Sequence, residues 1–195
     1  MPSVFHLGRD VRGIAVVEFA FVAPILVLLI CGFMEFSHVS SARTRLEGAT
    51  MRAARAVAAS DCPTEREGTM RRIITDAMED IPSPNGGDVE IITKSYSDAF
   101  DDVGEPEPFD DLNGNSKWDA GEPYSDINGN GEHDKDMGSL GSIGGAGQVV
   151  SYTARYEVYS LFNFINDQVG GNGIYNIEAS TVMRNEPIFS STGCS

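Results

Sequence analysis

The fold of this chain is decided by the stretch RGIAVVEFAFVAPILVLLICGFM, residues 12–34. A short basic leader precedes an apolar run, Ile14–Met34, which is 21 residues long and holds one charged residue, Glu18. As a helix, the run would span roughly 31 Å, close to the hydrocarbon thickness of a bilayer. A helix also satisfies every backbone polar group internally, as a bilayer requires. The stretch therefore predicts a single membrane-spanning helix.

Flanking charges predict the orientation of this span. Arg9 and Arg12 precede it and favour a cytoplasmic N-terminus, because basic residues are retained on that side. Arg43 and Arg45 follow the span and favour the opposite orientation, but the first flank usually dominates. We therefore expect the residues beyond the span to lie on the exported side.

Three residues at the start of the span predict proteolytic processing. Cleavage after Gly13 would leave a positively charged amine on Ile14, in the same apolar run as Glu18. An ionisable residue inside a span costs about 2.5–3.5 kcal/mol and usually has a partner. Pairing of Glu18 with that amine, in the same chain or a neighbour, would offset the cost. The alternative, a Glu18 that lies near the interface and extends to water, stays open.

The order Arg-Gly, four residues, Glu-Phe, followed by Ala-Phe-Val-Ala-Pro-Ile-Leu, resembles the TadE/TadG-like proteins. These are minor pilin-like subunits (pseudopilins) of the tight-adherence (Tad) type IV pilus system. The resemblance implies cleavage after Gly13 by a prepilin peptidase, and assembly with other pilin-like subunits and the pilus machinery. It also implies a single-pass protein of the bacterial inner membrane whose C-terminal domain lies in the periplasm. Whether the protein enters an extracellular pilus stays open.

Periodicity beyond the span predicts an α+β fold, in which a long N-terminal helix precedes a small antiparallel sheet. A leader is predicted over residues 1–13, and a membrane-spanning helix that continues as an amphipathic helix over 14–60. The exported domain is predicted over 61–195, with an acidic insert at 101–138. A stripe of mostly small residues marks the buried face of the first helix: Val39, Ala42, Leu46, Ala49, Ala53 and Ala56. This stripe could pack on the chain's own domain or on other subunits. A second helix is predicted over residues 64–80, and three strands are predicted over 89–96, 148–159 and 173–183.

Acidic residues are concentrated in one segment. Residues 98–136 hold 13 acids and two lysines, which accounts for −11 of the net charge of −15. Such a segment repels phosphates and argues against a nucleic-acid partner. It favours cations instead.

The acidic segment contains a match to the twelve-residue calcium loop, whose ligands occupy positions 1, 3, 5, 7, 9 and 12. The predicted Ca²⁺ ligands are Asp111, Asn113, Asn115, Lys117, Asp119 and Glu122, with Lys117 giving its backbone carbonyl. Ser116 occupies position 6, where the loop normally has glycine. Because asparagines replace several aspartates, we expect a weak affinity, on the order of 10⁻⁴ M.

The same spacing recurs fifteen residues later in Asp126, Asn128, Asn130 and Asp134. Position 12 is now Met137, so this loop lacks the carboxylate that Glu122 would supply. Asp136 is the candidate substitute. The alternative for the whole segment is a solvated acidic linker with Asn-Gly turns.

Two of the three cysteines, Cys62 and Cys194, fall on the exported side and could pair in an oxidising compartment. Two free thiols are the alternative. The chain has three histidines, from which no nucleophile, base and orienting group can be assembled, so the sequence does not predict an enzyme. Two other classes stay open. One is a membrane-anchored calcium-binding adhesin or interaction module outside pilus assembly, and the other is a tethered hydrolase.

Overall fold

The computed structural model describes residues 12–60, 63–84, 86–97, 99–163, 167 and 170–186. Its helices and antiparallel strands confirm the predicted α+β class. In chain order they are α1 (Arg12–Ala58), α2 (Pro63–Met78), β1 (Glu90–Tyr96), β2 (Ser139–Leu140), β3 (Val149–Tyr159) and β4 (Ile174–Arg184). The chain divides into two compact units, one of Met1–Ser41 with Ser160–Gly173 and one of Ala42–Tyr159 with Ile174–Ser195.

In the first unit, α1 presents an exposed apolar surface. Pro24 lies inside α1 without ending it. The segment Ala15–Ala58 is long and apolar enough to cross a membrane, and its most apolar window has a mean hydropathy of 2.6 and no buried residue. This composition suggests a membrane anchor and is consistent with a single-pass membrane protein.

Glu35 is a buried carboxylate in this unit, with 5% of its surface exposed. Its Oε2 accepts hydrogen bonds from the backbone N–H groups of Leu161 and Phe162, at 3.0 Å each. Its Oε1 is buried and has no hydrogen-bond partner among the described residues. Glu35 therefore holds the start of the 160–173 segment against α1.

In the second unit, the C-terminal part of α1 buries four residues of the predicted stripe. Ala42, Leu46, Ala49 and Ala53 are fully buried, and the buried face continues at Ala54 and Val57. Val39, in the first unit, is half-buried. Ala56 is exposed, so its prediction as a stripe residue is wrong. The reason is geometric: at 3.6 residues per turn, the face that contains Ala53 returns at position 57.

The α2 helix buries Met70, Ile74 and Met78, while Ile73 and Ala77 are half-buried. Arg66 is also buried, with 1% exposed. Its guanidinium donates to the carbonyl of Ser60, at 2.8 Å from Nη2, and to that of Gly144, at 3.5 Å from Nη1. Arg66 therefore joins the end of α1 to the glycine-rich segment before β3.

The four strands form an antiparallel sheet in the order β2-β1-β3-β4. The central strand β3 pairs with both long neighbours, so that Tyr152 lies opposite Thr93 of β1 and Thr181 of β4. Alternate β3 residues are buried, as the spacing of two predicts: Val150, Tyr152, Ala154, Tyr156 and Val158. Burial of each large apolar side chain stabilises the fold by about 1.5–3 kcal/mol. The strand β2 was not predicted, and the acidic insert lies between β1 and β2.

Candidate functional site

The predicted processing residues lie at the start of α1. Gly13 is exposed, and a methyl group added there would meet no atom within 4 Å. Glu18 is exposed on the same helix. Ile14 is helical, and its side chain lies outside the described residues. Nothing in the packing of the described residues therefore requires glycine at position 13.

The first loop of the insert, residues 111–119, is organised around Asp111. Its carboxylate accepts hydrogen bonds from the backbone N–H groups of Gly114, Asn115 and Ser116, at 2.7, 3.2 and 2.7 Å. The bond from Ser116, opposed by burial and aided by the other N–H groups, lowers the pKa of Asp111 below its ordinary value. These N–H groups therefore stabilise the ionised form of Asp111.

The other predicted ligands of the first loop converge on Asp119. The side-chain amides of Asn113 and Asn115 both donate to Asp119 Oδ2, at 2.7 and 2.8 Å. The backbone N–H of Lys117 donates to Asn115 Oδ1 at 2.8 Å, and the Lys117 side chain is exposed.

Glu122 closes the first loop. Its Oε1 accepts from the N–H of Leu112 at 3.0 Å, and its Oε2 accepts from the N–H of Asp119 at 2.9 Å. The side chain is buried. One carboxylate thus joins the second and ninth positions of the loop.

The second loop, residues 126–134, repeats this bonding. Asp126 accepts from the N–H groups of Gly129, Asn130 and Gly131, at 2.6, 3.1 and 2.9 Å. The amides of Asn128 and Asn130 donate to Asp134 Oδ2, at 2.7 and 2.5 Å. The predicted repeat of the ligand spacing is therefore also a repeat of local structure.

Glu107 closes the second loop, which corrects the suggestion that Asp136 does so. Oε1 of Glu107 accepts from the N–H of Ile127 at 2.7 Å, and Oε2 accepts from the N–H of Asp134 at 3.1 Å. These are the second and ninth positions, as for Glu122. Asp136 instead lies 2.6 Å from Lys94 Nζ and accepts a hydrogen bond from the Tyr96 hydroxyl at 2.9 Å.

A sequence signal for Glu107 exists upstream of the loop. The residues Glu107-Pro108-Phe109 correspond to Glu122-Pro123-Tyr124, so the repeat unit is fifteen residues long and begins at the glutamate. We define the first repeat as residues 107–121 and the second as 122–136. Each loop is closed by the glutamate of the repeat other than its own.

The two repeats also bond to each other through their backbones. The N–H of Asp110 donates to the carbonyl of Pro123 at 2.9 Å, and that of Ser125 donates to Pro108 at 2.8 Å. Phe109 and Tyr124 form an antiparallel bridge between these bonds. The repeats are therefore related by an approximate twofold arrangement.

An aromatic cluster covers this bridge. The rings of Trp118 and His133, at equivalent positions, stack with centroids 4.6 Å apart. Trp118 Nε1 donates to the carbonyl of Glu122 at 3.1 Å, and His133 Nε2 lies 3.0 Å from the carbonyl of Glu107. Each ring therefore fixes the backbone of the glutamate that closes its own loop.

The insert is tied to the sheet through Asp136. Burial would raise the pKa of Asp136, but the hydrogen bond from Lys94, together with those from Gly138 and Tyr96, lowers it below the ordinary value. Burial and the bond to Asp136 raise the pKa of Tyr96 to about 12. Lys94 and Tyr96 belong to β1, so the end of the second repeat is anchored to the sheet.

The donor chemistry of the loops suits a hard cation, because carboxylate and amide oxygens are the ligands that calcium prefers. Among the described residues, however, no three His, Cys, Asp or Glu side chains are grouped so that they could hold a metal ion. In each loop the asparagine N–H groups face the aspartate at the ninth position. A bound cation would need the amide oxygens on that side instead. Each amide would have to rotate, and its Oδ1 would give up the backbone N–H that it now accepts.

Of the cysteines, Cys31 lies in α1, is half-buried and is not in a disulfide. Cys62 and Cys194 lie outside the described residues, so the predicted disulfide stays a prediction.

Comparison with known families identifies the N-terminal part of the chain. The family model of the TadE-like protein matches residues 13–55. The chain has a TadE-like N-terminal segment. This segment contains Gly13, Glu18 and the apolar helix, which confirms the resemblance seen in the sequence and is consistent with a Tad pilus-related protein. No curated protein and no solved structure matches the chain significantly. The insert lies outside the TadE-like segment.

Proposed function

We propose that this protein is a non-enzymatic, TadE-like minor pilin-like subunit that acts in Tad pilus assembly and adhesion, with an insert stabilised by Ca²⁺. The match of residues 13–55 to the TadE-like family carries the proposal. Other pilin-like subunits, the pilus assembly machinery and a prepilin peptidase are its proposed partners. The protein is anchored in the bacterial inner membrane with its C-terminal domain in the periplasm.

The surroundings of Gly13 support processing after this residue. Gly13 is the second residue of α1, and a Cβ there would meet open space, so the described packing gives no reason for glycine at this position. Recognition by a peptidase would account for the glycine at position 13. The new amine of Ile14 then pairs with Glu18, in the same chain or a neighbouring subunit.

Two observations support calcium binding by the insert. Oxygen ligands recur at the same spacing in both loops, and their local structures agree bond for bond around Asp111 and Asp126. The asparagine content favours an affinity on the order of 10⁻⁴ M, as in extracellular modules.

A disulfide between Cys62 and Cys194 belongs to the same proposal, because both cysteines would face the periplasm. Non-reducing peptide mapping of protein purified from membranes should recover the two cysteines in one linked peptide pair. Recovery of both as alkylated thiols would contradict the pairing.

Mass spectrometry of the mature N-terminus tests the proposed function. Co-expression with a prepilin peptidase should give a chain that begins at Ile14, and Gly13→Ala should block the cut. Gly32→Ala is the matched control, because Gly32 is also in α1 with open space at its Cβ. An intact N-terminus, or a cut beyond Met34, would contradict the proposal.

A second candidate function is a membrane-anchored calcium-binding adhesin or interaction module without a role in pilus assembly. It is favoured by the position of the insert, which lies outside the TadE-like segment. An unprocessed N-terminus together with calcium binding would support it.

A further inference from the structure

The two loops of the insert depend on each other for closure. We propose that they open, close and bind cations as one cooperative unit, in which Glu107 is the positioning residue of the second loop. The cation part of this inference rests on the proposed function. The coupling between the loops rests on the structure alone.

Burial of Glu107 is the first argument. The side chain is fully buried, with 0% of its surface exposed. On the second loop, its carboxylate accepts hydrogen bonds from backbone N–H groups, including those of Ile127 and Asp134. A buried carboxylate that loses its donors is strongly unfavourable, so an open second loop forces Glu107 to move. Opening of the second loop therefore disturbs the first repeat, to which Glu107 belongs.

Displacement of Glu107 would also disturb the first loop. The carbonyl of Glu107 contacts the His133 ring, which stacks on Trp118 of the first loop. The neighbouring Pro108 carbonyl accepts the hydrogen bond from Ser125, three residues after Glu122. The position of Glu122 depends on these contacts, and Glu122 closes the first loop. Displacement of Glu122 should disturb the second loop in the same way, because the two repeats are related by an approximate twofold arrangement.

Charge and closure act in opposite directions on the second binding step. Residues 107–136 hold nine acids and two lysines, a net charge of −7. A cation bound in one loop lowers the attraction of the other loop for a second cation. Positive coupling between the two ions therefore has to come from the shared closure of the loops through Glu107 and Glu122.

Hydrogen exchange on the full chain in detergent micelles tests the coupling. In Glu107→Gln, the amides of Ile127 and Asp134 should exchange about tenfold faster. Those of Leu112 and Asp119 should do so as well, although Glu122 is intact. Glu132→Gln is the matched control, because it removes an exposed acid of the second loop. Unchanged exchange at Leu112 and Asp119 would overturn the proposal.

Wild-type exchange under increasing urea gives a second measurement that needs no variant. The four amides should converge on one opening free energy, since one event exposes them all. Separate opening free energies for the two loops would also overturn the proposal.

Calcium titration of the same preparations separates this inference from the proposed function. Wild-type protein should bind two ions with a Hill coefficient above 1, and Glu107→Gln should weaken both binding steps about tenfold or more. If the amides open together but calcium produces no heat, the coupling holds and the calcium role fails. If calcium binds to independent loops, the calcium role holds and the coupling fails.

Discussion

The rings of Trp118 and His133 stack at 4.6 Å between centroids and 6° between planes, although the two residues belong to different repeats. Tyr124 meets both rings edge-on, at 6.0 Å from Trp118 and 5.5 Å from His133. Since Trp118 is the single tryptophan of the chain, its fluorescence reports directly on the joint between the repeats.

Removal of the stacked ring should weaken this joint. His133→Ala should lower the free energy of unfolding of the insert by about 1–2 kcal/mol, because it removes an aromatic contact and a hydrogen-bond partner of Glu107. Urea titration followed by Trp118 fluorescence measures the change. His38→Ala, in α1, should leave the titration unchanged. An equal effect of the two substitutions would contradict a specific role for the stack.

Position 6 of the two loops offers a matched pair of substitutions. Ser116 has a φ of 60°, the one positive φ among the non-glycine residues that the structure describes, and Gly131 has a φ of 83° at the equivalent position. Since L-residues are strained in this region, Ser116→Gly should stabilise the insert by about 1 kcal/mol and Gly131→Ser should destabilise it similarly. Chemical denaturation of both variants measures the two changes. Changes of the same sign would contradict the interpretation.

Acid should release the insert from the sheet through Asp136. Because the folded pKa of Asp136 is lowered, its contribution to stability is complete above the ordinary carboxyl pKa of about 3.9. The contribution is lost as the pH falls through the lower folded value. Amide exchange near Lys94, followed from pH 5 to pH 2, should show this loss. Asp136→Asn should show weaker protection at pH 5 and a flatter pH dependence, and identical profiles would contradict the link.

Loss of two carboxylates should abolish calcium binding by the first loop. Asp111→Ala combined with Glu122→Ala removes the residues that organise and close that loop, so millimolar calcium should no longer change Trp118 fluorescence. Asp101→Ala with Glu105→Ala is the matched control, since both acids are exposed and lie outside the repeats. A calcium response that survives in the first variant would exclude these ligands.

Strong periodicity made most of the fold predictable from the sequence. The strands were placed within one residue of their observed ends, because β3 alternates buried and exposed residues and β4 follows the same period. The two-residue strand β2 was not predicted, because it lies next to a glycine-rich segment without an alternation of apolar and polar residues. Arg66 was missed because arginine is rarely buried, and here backbone carbonyls of Ser60 and Gly144 accept its hydrogen bonds.

The repeated local structure of the two loops was predictable from the sequence, but their closure was not. The alternate spacing that aims Asp111, Asn113 and Asn115 at one region is local and can be read directly. The role of Glu107 depends on a contact across about twenty residues, which a twelve-residue pattern cannot contain. Asp136 is the acid next to position 12 of the second loop in the sequence, but its carboxylate forms an ion pair with Lys94 of β1.

Reciprocal closure by Glu107 and Glu122 restricts how an insert of this kind can change in length. A single fifteen-residue unit contains a loop but not the glutamate that closes it, and a third unit would leave one loop without its counterpart. Units of this type are therefore complete in pairs. Lengthening or shortening of the segment between β1 and β2 should be tolerated in steps of thirty residues, and a step of fifteen should leave one loop open.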